Sequence, residues 1–465
     1  TCVKKITTMI RAFGSVSQAV LLMKSMTILM IKNMKKLLIP IFCFLGLSLM
    51  AQETMHPSPA QTKKIVITGA TLHIGNGQVV QNGSLSIDKG KLTVLTSAPA
   101  ITADVEHIDA TGKHIYPGVI APNTNLGLVE VSSTKATVDY DELGEMNPNI
   151  RSIVAYNTDS KVINTLRSNG VLLAQIVPQG GLISGSSTIV QLDAWNWEDA
   201  VYAMDNGVHI TFPALINRPN GGGGRRGADS DAVKAGLERI EQARVFFREA
   251  KAYLNEKTHA AVNLKFEATK GLFDRTKTLY VHCDLVKEML TAIDFAKEFN
   301  FKLVIAGGAD SWMIADILAA NNVAVILHEP HALPAAEDDA VDQPYKTGAQ
   351  LQKAGVLFTI CQDSGDGYTQ IRNLPFMAGT MSAYGLTREE ALSAITLNPA
   401  KILGIADRTG SLETGKDANI VICQGDLLDM KSSVVTHAFI QGRAIDLDNK
   451  HTQLYNRYKY KYNLK

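Results

Sequence analysis

Tyr116-Pro117-Gly118-Val119-Ile120-Ala121-Pro122-Asn123-Thr124-Asn125 reads as an apolar strand, 115–120, running into two carboxamides. Side chains on a strand alternate faces, so residues 123 and 125, one residue apart, are expected to point the same way. Two imidazoles in such positions clamp one Zn²⁺ or a similar ion. Here both positions are asparagine, and an amide oxygen is a poor ligand for a borderline-soft divalent ion.

Downstream of it, apolar strand-like runs recur at 171–178, 187–192, 209–212, 279–283, 301–306, 323–327 and 357–361. Amphipathic helices are expected between several of them, at 231–254, 285–300, 311–322 and 348–354. Alternation of strand and helix implies parallel strands with crossover helices. With 115–120 the set reaches the eight strands of an α/β (β/α)8 TIM-like barrel over 116–409. Two later helices carry their own punctuation. Thr387-Arg388-Glu389-Glu390 is a capping box, and Asn398-Pro399 through Gly404 places Pro at the start of a short helix and Gly at its end.

Strand-like segments also flank this region. Lys64 to Ala70, Ser84 to Ile87 and Lys91 to Val94 alternate apolar and polar residues between Asn-Gly and Lys-Gly turns. Strands return at Gly410-Ser411-Leu412-Glu413-Thr414-Gly415-Lys416-Asp417-Ala418-Asn419-Ile420-Val421-Ile422 and at 434–440. That closing stretch, with the Pro-Gly strand quoted first, resembles the amidohydrolase superfamily, and the nearest branch looks like the secreted, imidazolonepropionase-like amidohydrolases. The resemblance runs from about Ile65 to Arg443. It implies that 64–115 and 410–446 pair into one small β-sandwich beside the barrel, leaving 447–465 as a tail. The tail alternates aromatic and basic residues from Tyr455 to Tyr462 and is expected to pack as a final edge segment.

Met34-Lys35-Lys36, an apolar run to Leu49 and then Met50-Ala51 read as a secretory signal peptide cleaved near Ala51. Within 1–51, residues 1–33 are basic and patternless, and Met34 is taken as the start. The expected location is periplasmic or extracellular. Residues 1–51 hold seven basic and no acidic residues of the chain's 46 and 45, so the remainder is net acidic, near −6. That balance gives no support for nucleic-acid binding, and no nucleic-acid partner is expected. Cys283, Cys361 and Cys423 remain, scattered and odd in number, and read as buried thiols rather than a disulfide framework. The run Asn220 to Gly227 is a glycine-rich surface loop, and Glu337-Asp338-Asp339 is a solvated loop.

In a barrel of this kind the site forms at the C-terminal ends of the strands. The resemblance implies that His282 is the fifth-strand metal ligand and that Asp363, after the eighth strand, takes a proton from water. The plain alternatives are a core histidine and an Asx-turn. Three elements of the family pattern are missing: the His-x-His pair, the sixth-strand His and a fourth-strand Lys. A catalytic Zn site takes three protein ligands, so His328 and His331, leaving the seventh strand, are the candidates to complete a non-standard site with His282. Asn123, Asn125, Gln179 and Arg372 are candidates for binding substrate, with Asp193 also polar enough to line the pocket. Two functions follow. One is a metal-dependent hydrolase of amide or cyclic-amide C–N bonds. The other is a catalytically inactive barrel, without metal, that binds a small amide-type molecule or pairs with itself or a homologous subunit.

Overall fold

Short strands open and close the described part of the chain, and they meet in one sheet. In a computed structural model, residues 56–95, 102–215, 229–336, 338–363 and 367–464 are described. The leader pattern in 1–51, the glycine run 220–227, and Glu337, Ser364 and Gly365 lie outside them. From Pro57 onward the chain forms one compact unit. Among the described residues no helix is long and apolar enough to cross a membrane.

The opening strands are β1 (Lys64–His73), β2 (Val79–Asp88), β3 (Lys91–Leu95), β4 (Val105–Asp109) and β5 (His114–Pro117). The barrel strands are β6 (Val119–Thr124), β7 (Val171–Ile176), β8 (Ile183–Gln191), β9 (Val201–Thr211), β10 (Thr278–Cys283), β11 (Leu303–Gly307), β12 (Ala324–Leu327) and β13 (Phe358–Ile360). The closing strands are β14 (Ile420–Cys423), β15 (Val435–Ile440) and β16 (Arg443–Ala444). The first and last groups form one 8-stranded sheet in the order β16-β15-β14-β5-β1-β2-β3, with β4 also on β1. The two ends of the chain join where Ile420 and Ile422 pair antiparallel with Pro117 and Ile115. Ile67, Leu72, Leu85, Ile115, Ile420 and Phe439 form the core of this domain.

The second 8-stranded sheet runs β6 to β13 in chain order. It is nearly closed: β13 returns beside β6, and the helix Leu397–Ile402 bridges the seam. Ile120 N–H reaches Ile395 O at 3.0 Å, and Asn398 Nδ2 reaches Phe358 O at 3.0 Å. All expected barrel strands are present, but one runs the other way. β8 is antiparallel to both β7 and β9. The reason is the length of the connections. Only residues 177–182 separate β7 from β8, and a parallel return needs about a dozen residues or more.

Strand alternation divides the barrel residues between two cores. Val119, Leu172, Leu279, Ile305, Val325 and Ile360 face the helices. Ile120, Leu173, Ile189, Tyr280, Ile326 and Cys361 fill the interior. Counting two residues along from Tyr280, Ile326 and Cys361 gives His282, His328 and Asp363, so the inward register carries those side chains to the C-terminal mouth. Of the expected helices, 348–354 begins earlier, as Gln343–Lys353 with Pro in its first turn. The capping box forms, with Thr387 and Glu390 bonded reciprocally. The tail is not an edge segment. It is a helix, Lys450–Lys461, capped by Asn449 and lying against the helix Lys161–Arg167. Its aromatic and basic residues alternate with period two, but Tyr455, Tyr458 and Tyr462 also recur with helical spacing, and the helix is what forms.

Candidate active site

Five strand ends deliver the polar residues of the mouth: β6 brings Asn123, β9 His209, β10 His282 and Asp284, β12 His328, and β13 Cys361 and Asp363. Asp363 is the hub. Its Oδ1 accepts from His328 Nδ1 at 2.7 Å, and its Oδ2 accepts from Asn123 Nδ2 at 2.8 Å. The far side of the His328 ring reaches Asp284 Oδ1 at 3.1 Å. Asp284 in turn accepts from the Ala309 N–H. One imidazole is thus clamped between two carboxylates.

That clamp sets the charges. Burial opposes a proton on His328, but the hydrogen bonds to Asp284 and Asp363 outweigh it and hold the ring well above the usual histidine range. For Asp284, burial raises the carboxyl and the bonds from His328 more than reverse it. Cys361 is fully buried, and burial, with the Asp363 charge, pushes its thiol up to about 12. It stands in this structure as a protonated thiol near Asn123 Nδ2, at 3.8 Å.

Asn123 occupies its place through a break in the strand. The pairing of β6 with β7 shifts register between Ala121 and Thr124, and Asn123 has φ +50°, a left-handed conformation that asparagine tolerates. Its N–H is held by Gln175 Oε1 at 3.1 Å. From there a polar chain crosses the barrel interior: Gln175 to Ser187, Ser187 to Asn206, and Asn206 to the Tyr280 hydroxyl. Tyr280 stacks on His209 at 4.6 Å, and His209 Nδ1 faces His282 Nε2 at 2.9 Å. The register shift also separates the two asparagines. β6 ends at Thr124, and Asn125 begins a turn in which its carbonyl accepts from Leu128.

His282 is kept neutral. Burial first, partly offset by the charge on Asp363, lowers it to about 4. An unfolded histidine titrates near 6.5, so between those values the unfolded chain takes up a proton that the folded chain refuses. Stability from this site is therefore complete above pH ~6.5 and falls as pH drops toward 4, by on the order of 3 kcal/mol. His282→Gln is expected to flatten that acid limb in thermal melts between pH 7 and 4. Parallel slopes for the two proteins would reject the assignment.

The mouth opens into a cavity of about 330 Å³, whose wall includes His328, Asp363, Glu329, Leu333, Asp339 and Pro344. The other expected site residues lie elsewhere. His331 is exposed and bonds Thr380 at 2.7 Å. Arg372 approaches His451 of the tail helix. Gln179 is exposed in its loop. Asp193 is buried and paired with Arg167 and Arg443. Three residues went unselected from the sequence: Asp284, Cys361 and His209. Cys361 had a signal, since it shares the inward face with Asp363 two residues on. Asp284 had one too, as an acid just past the fifth strand.

A metal ion fits one donor set at this mouth. His328, Cys361 and Asp363 offer one nitrogen, one sulfur and one oxygen, all within 4.8 Å of one another. That mixture suits a borderline-soft divalent ion. Holding one requires the ring and the thiol to give up protons. The set includes neither His282 nor His331.

The comparisons with known proteins bear on the fold that carries these residues. Residues 223–445 match the model of the Amidohydrolase family. The imidazolonepropionase of Streptococcus gordonii is 25% identical over 375 residues, covering 76% of this chain and 86% of that protein. The imidazolonepropionase of Rhizobium rhizogenes is 26% identical over 385 residues, covering 75% and 88%. The crystal structure of an amidohydrolase from Thermotoga maritima MSB8 superposes with a TM-score of 0.70 at 25% identity, covering 82% of this chain and 99% of that one. The chain is similar to the amidohydrolase superfamily, and within it to the imidazolonepropionase-like branch.

Proposed function

We propose that this protein is a hydrolase of non-peptide C–N bonds, acting on cyclic amides, with Asp363 as the base. The observation that carries the reading is a carboxylate fixed at the barrel mouth by two donors, His328 and Asn123, on the wall of a cavity. Each Asp363 oxygen spends one lone pair on those donors and keeps another for water. Asp363 would take a proton from the attacking water as its oxygen bonds to the amide carbon, then return that proton to the nitrogen as the C–N bond breaks. Ring opening leaves a carboxylate and an amine. With no ion bound, the protonated His328 ring, braced by Asp284, orients Asp363 and keeps it ionised; holding an ion would instead require that ring to be neutral and turned from one of its two carboxylates. His328, Cys361 and Asp363 would hold a divalent ion, Zn²⁺ by donor chemistry, and such an ion supplies Lewis-acid polarisation of the carbonyl when bound. The name carried by the relatives, imidazolonepropionase, supports a ring C–N bond as the target.

A second reading, an inactive barrel that binds an amide-type ligand or a homologous subunit, is favoured by one observation: Asn123 turns an N–H toward Asp363 where the family pattern has an imidazole. One experiment separates the two. The purified protein, stripped by chelator and reloaded with Zn²⁺, is incubated with a panel of lactams and imidazolones, and ring-opened product is followed by mass spectrometry. Product from the Zn²⁺-loaded protein supports the hydrolase. One equivalent of bound Zn²⁺ with no product from any ring would leave only the binding reading.

A further inference from the structure

Among the described residues that line the mouth cavity there is no lysine or arginine. The one described lining residue able to carry a positive charge is His328, which is already committed to two carboxylates. Against it the wall sets Asp363, Glu329 and Asp339, and the remainder is mostly apolar, including Leu333 and Pro344. Asp339 was expected to belong to a solvated acidic loop. Instead it is half-buried, and its Oδ2 accepts the backbone N–H of Ala336 at 2.9 Å. That bond fixes the carboxylate on the cavity wall rather than leaving it free to swing into solvent.

We propose that this cavity selects amides whose non-reacting arm is cationic and turns away arms that end in a carboxylate, with Asp339 as the specificity-determining residue. The proposal rests on the hydrolase reading for the reacting end and adds the chemistry of the other end. A ligand carboxylate here would meet like charges on the wall and, among the described lining residues, find no lysine or arginine to pair with. A ligand ammonium would meet opposite charges in a site that partly excludes water, where such contacts are screened least. Discrimination built by repulsion as well as attraction is how a small cavity separates two ligands of the same size. The apolar lining then takes the carbon skeleton between the ring and the charge.

The test uses the full chain and three probes that share one lactam ring: 2-pyrrolidinone carrying at C5 an aminomethyl group, a carboxamide or a carboxylate. Equilibrium binding is measured by calorimetry, and ring opening is scored separately by mass spectrometry. The expected order is ammonium tightest, carboxamide next and carboxylate weakest, with the extremes about tenfold apart or more and the gap narrowing in high salt. Asp339→Asn should shrink the gap, and Asp339→Lys should invert it. Equal or tighter binding of the carboxylate probe, an order unchanged by both substitutions, or no binding of any probe at millimolar concentration overturns the proposal. The charge order without ring opening would leave this proposal standing, and the hydrolase reading would then fall only if the Zn²⁺-loaded protein opened no ring of the wider panel. Preferred ring opening of the carboxylate probe would sink this proposal and leave the hydrolase reading standing.

Discussion

Asp363→Asn is expected to lower the rate of lactam or imidazolone hydrolysis by a factor on the order of 10²–10⁴ while leaving the fold intact. Asparagine keeps the shape of the side chain and an oxygen that can still accept from His328. It loses the ability to take a proton from water. It also loses the negative charge that keeps the His328 ring protonated between two acids. Both losses fall on the chemical step, so kcat should collapse while the KM for a good substrate changes little. Thermal midpoints should stay close to wild type, because His328 and Asp284 are more than a third exposed and solvent screens what the clamp contributes to stability. Asn123→Ala provides a graded companion. It removes the second donor to Asp363 and should cost less, since the base itself survives. Full activity in Asp363→Asn would end the proposed mechanism, and a large fall in its thermal midpoint would assign the residue a structural role.

The barrel could be read from the chain because burial on alternate strand faces writes itself into composition. The expected barrel runs fall on strands, although 115–120 divides at Gly118 between β5 of the flanking sheet and β6 of the barrel, and the inward parity of Tyr280, Ile326 and Cys361 leads directly to His282, His328 and Asp363. Direction was harder. Period-two alternation is the same whichever way a strand runs, so β8 looked parallel, although the six residues 177–182 were too few for a crossover. The same parity rule misjudged Asn125, because the bulge at Asn123 ends the alternation on which the pairing of 123 with 125 depended. Loops carry no periodicity at all. His331, Gln179 and Arg372 looked equivalent to His328 as polar residues near strand ends, yet only His328 continues a strand's inward face. Asp339 shows the converse. Nothing in Glu337-Asp338-Asp339 marks the residue that turns back to accept the Ala336 N–H and line the cavity.

Asp193→Ala is expected to destabilise the fold by about 3–5 kcal/mol, because it strips the counter-charge from two guanidinium groups at once. The Asp193 side chain is 1% exposed, with Arg167 at 6% and Arg443 at 17%. Arg167 donates to Oδ1. Arg443 and the Ser58 N–H both reach Oδ2 at 3.0 Å. Arg443 also donates to the Asp193 carbonyl and to Gln191 Oε1. Three distant parts of the chain therefore meet on one carboxylate: the segment before β1, the helix Lys161–Arg167 after β6, and β16 near the C-terminal end. Replacing a whole buried ion cluster by apolar residues can be nearly neutral, whereas removing one partner leaves the others charged and desolvated. Arg167 feels this most, since burial already weighs against its charge and Asp193 is the chief group restoring it. Asp193→Asn, which keeps acceptors but not the charge, should fall between wild type and Asp193→Ala. Urea titrations followed by tryptophan fluorescence measure the effect as a shift in midpoint at constant slope. A shift worth less than about 1 kcal/mol would mean that water reaches the two arginines once Asp193 is gone, and that the carboxylate does not tie the chain ends to the barrel.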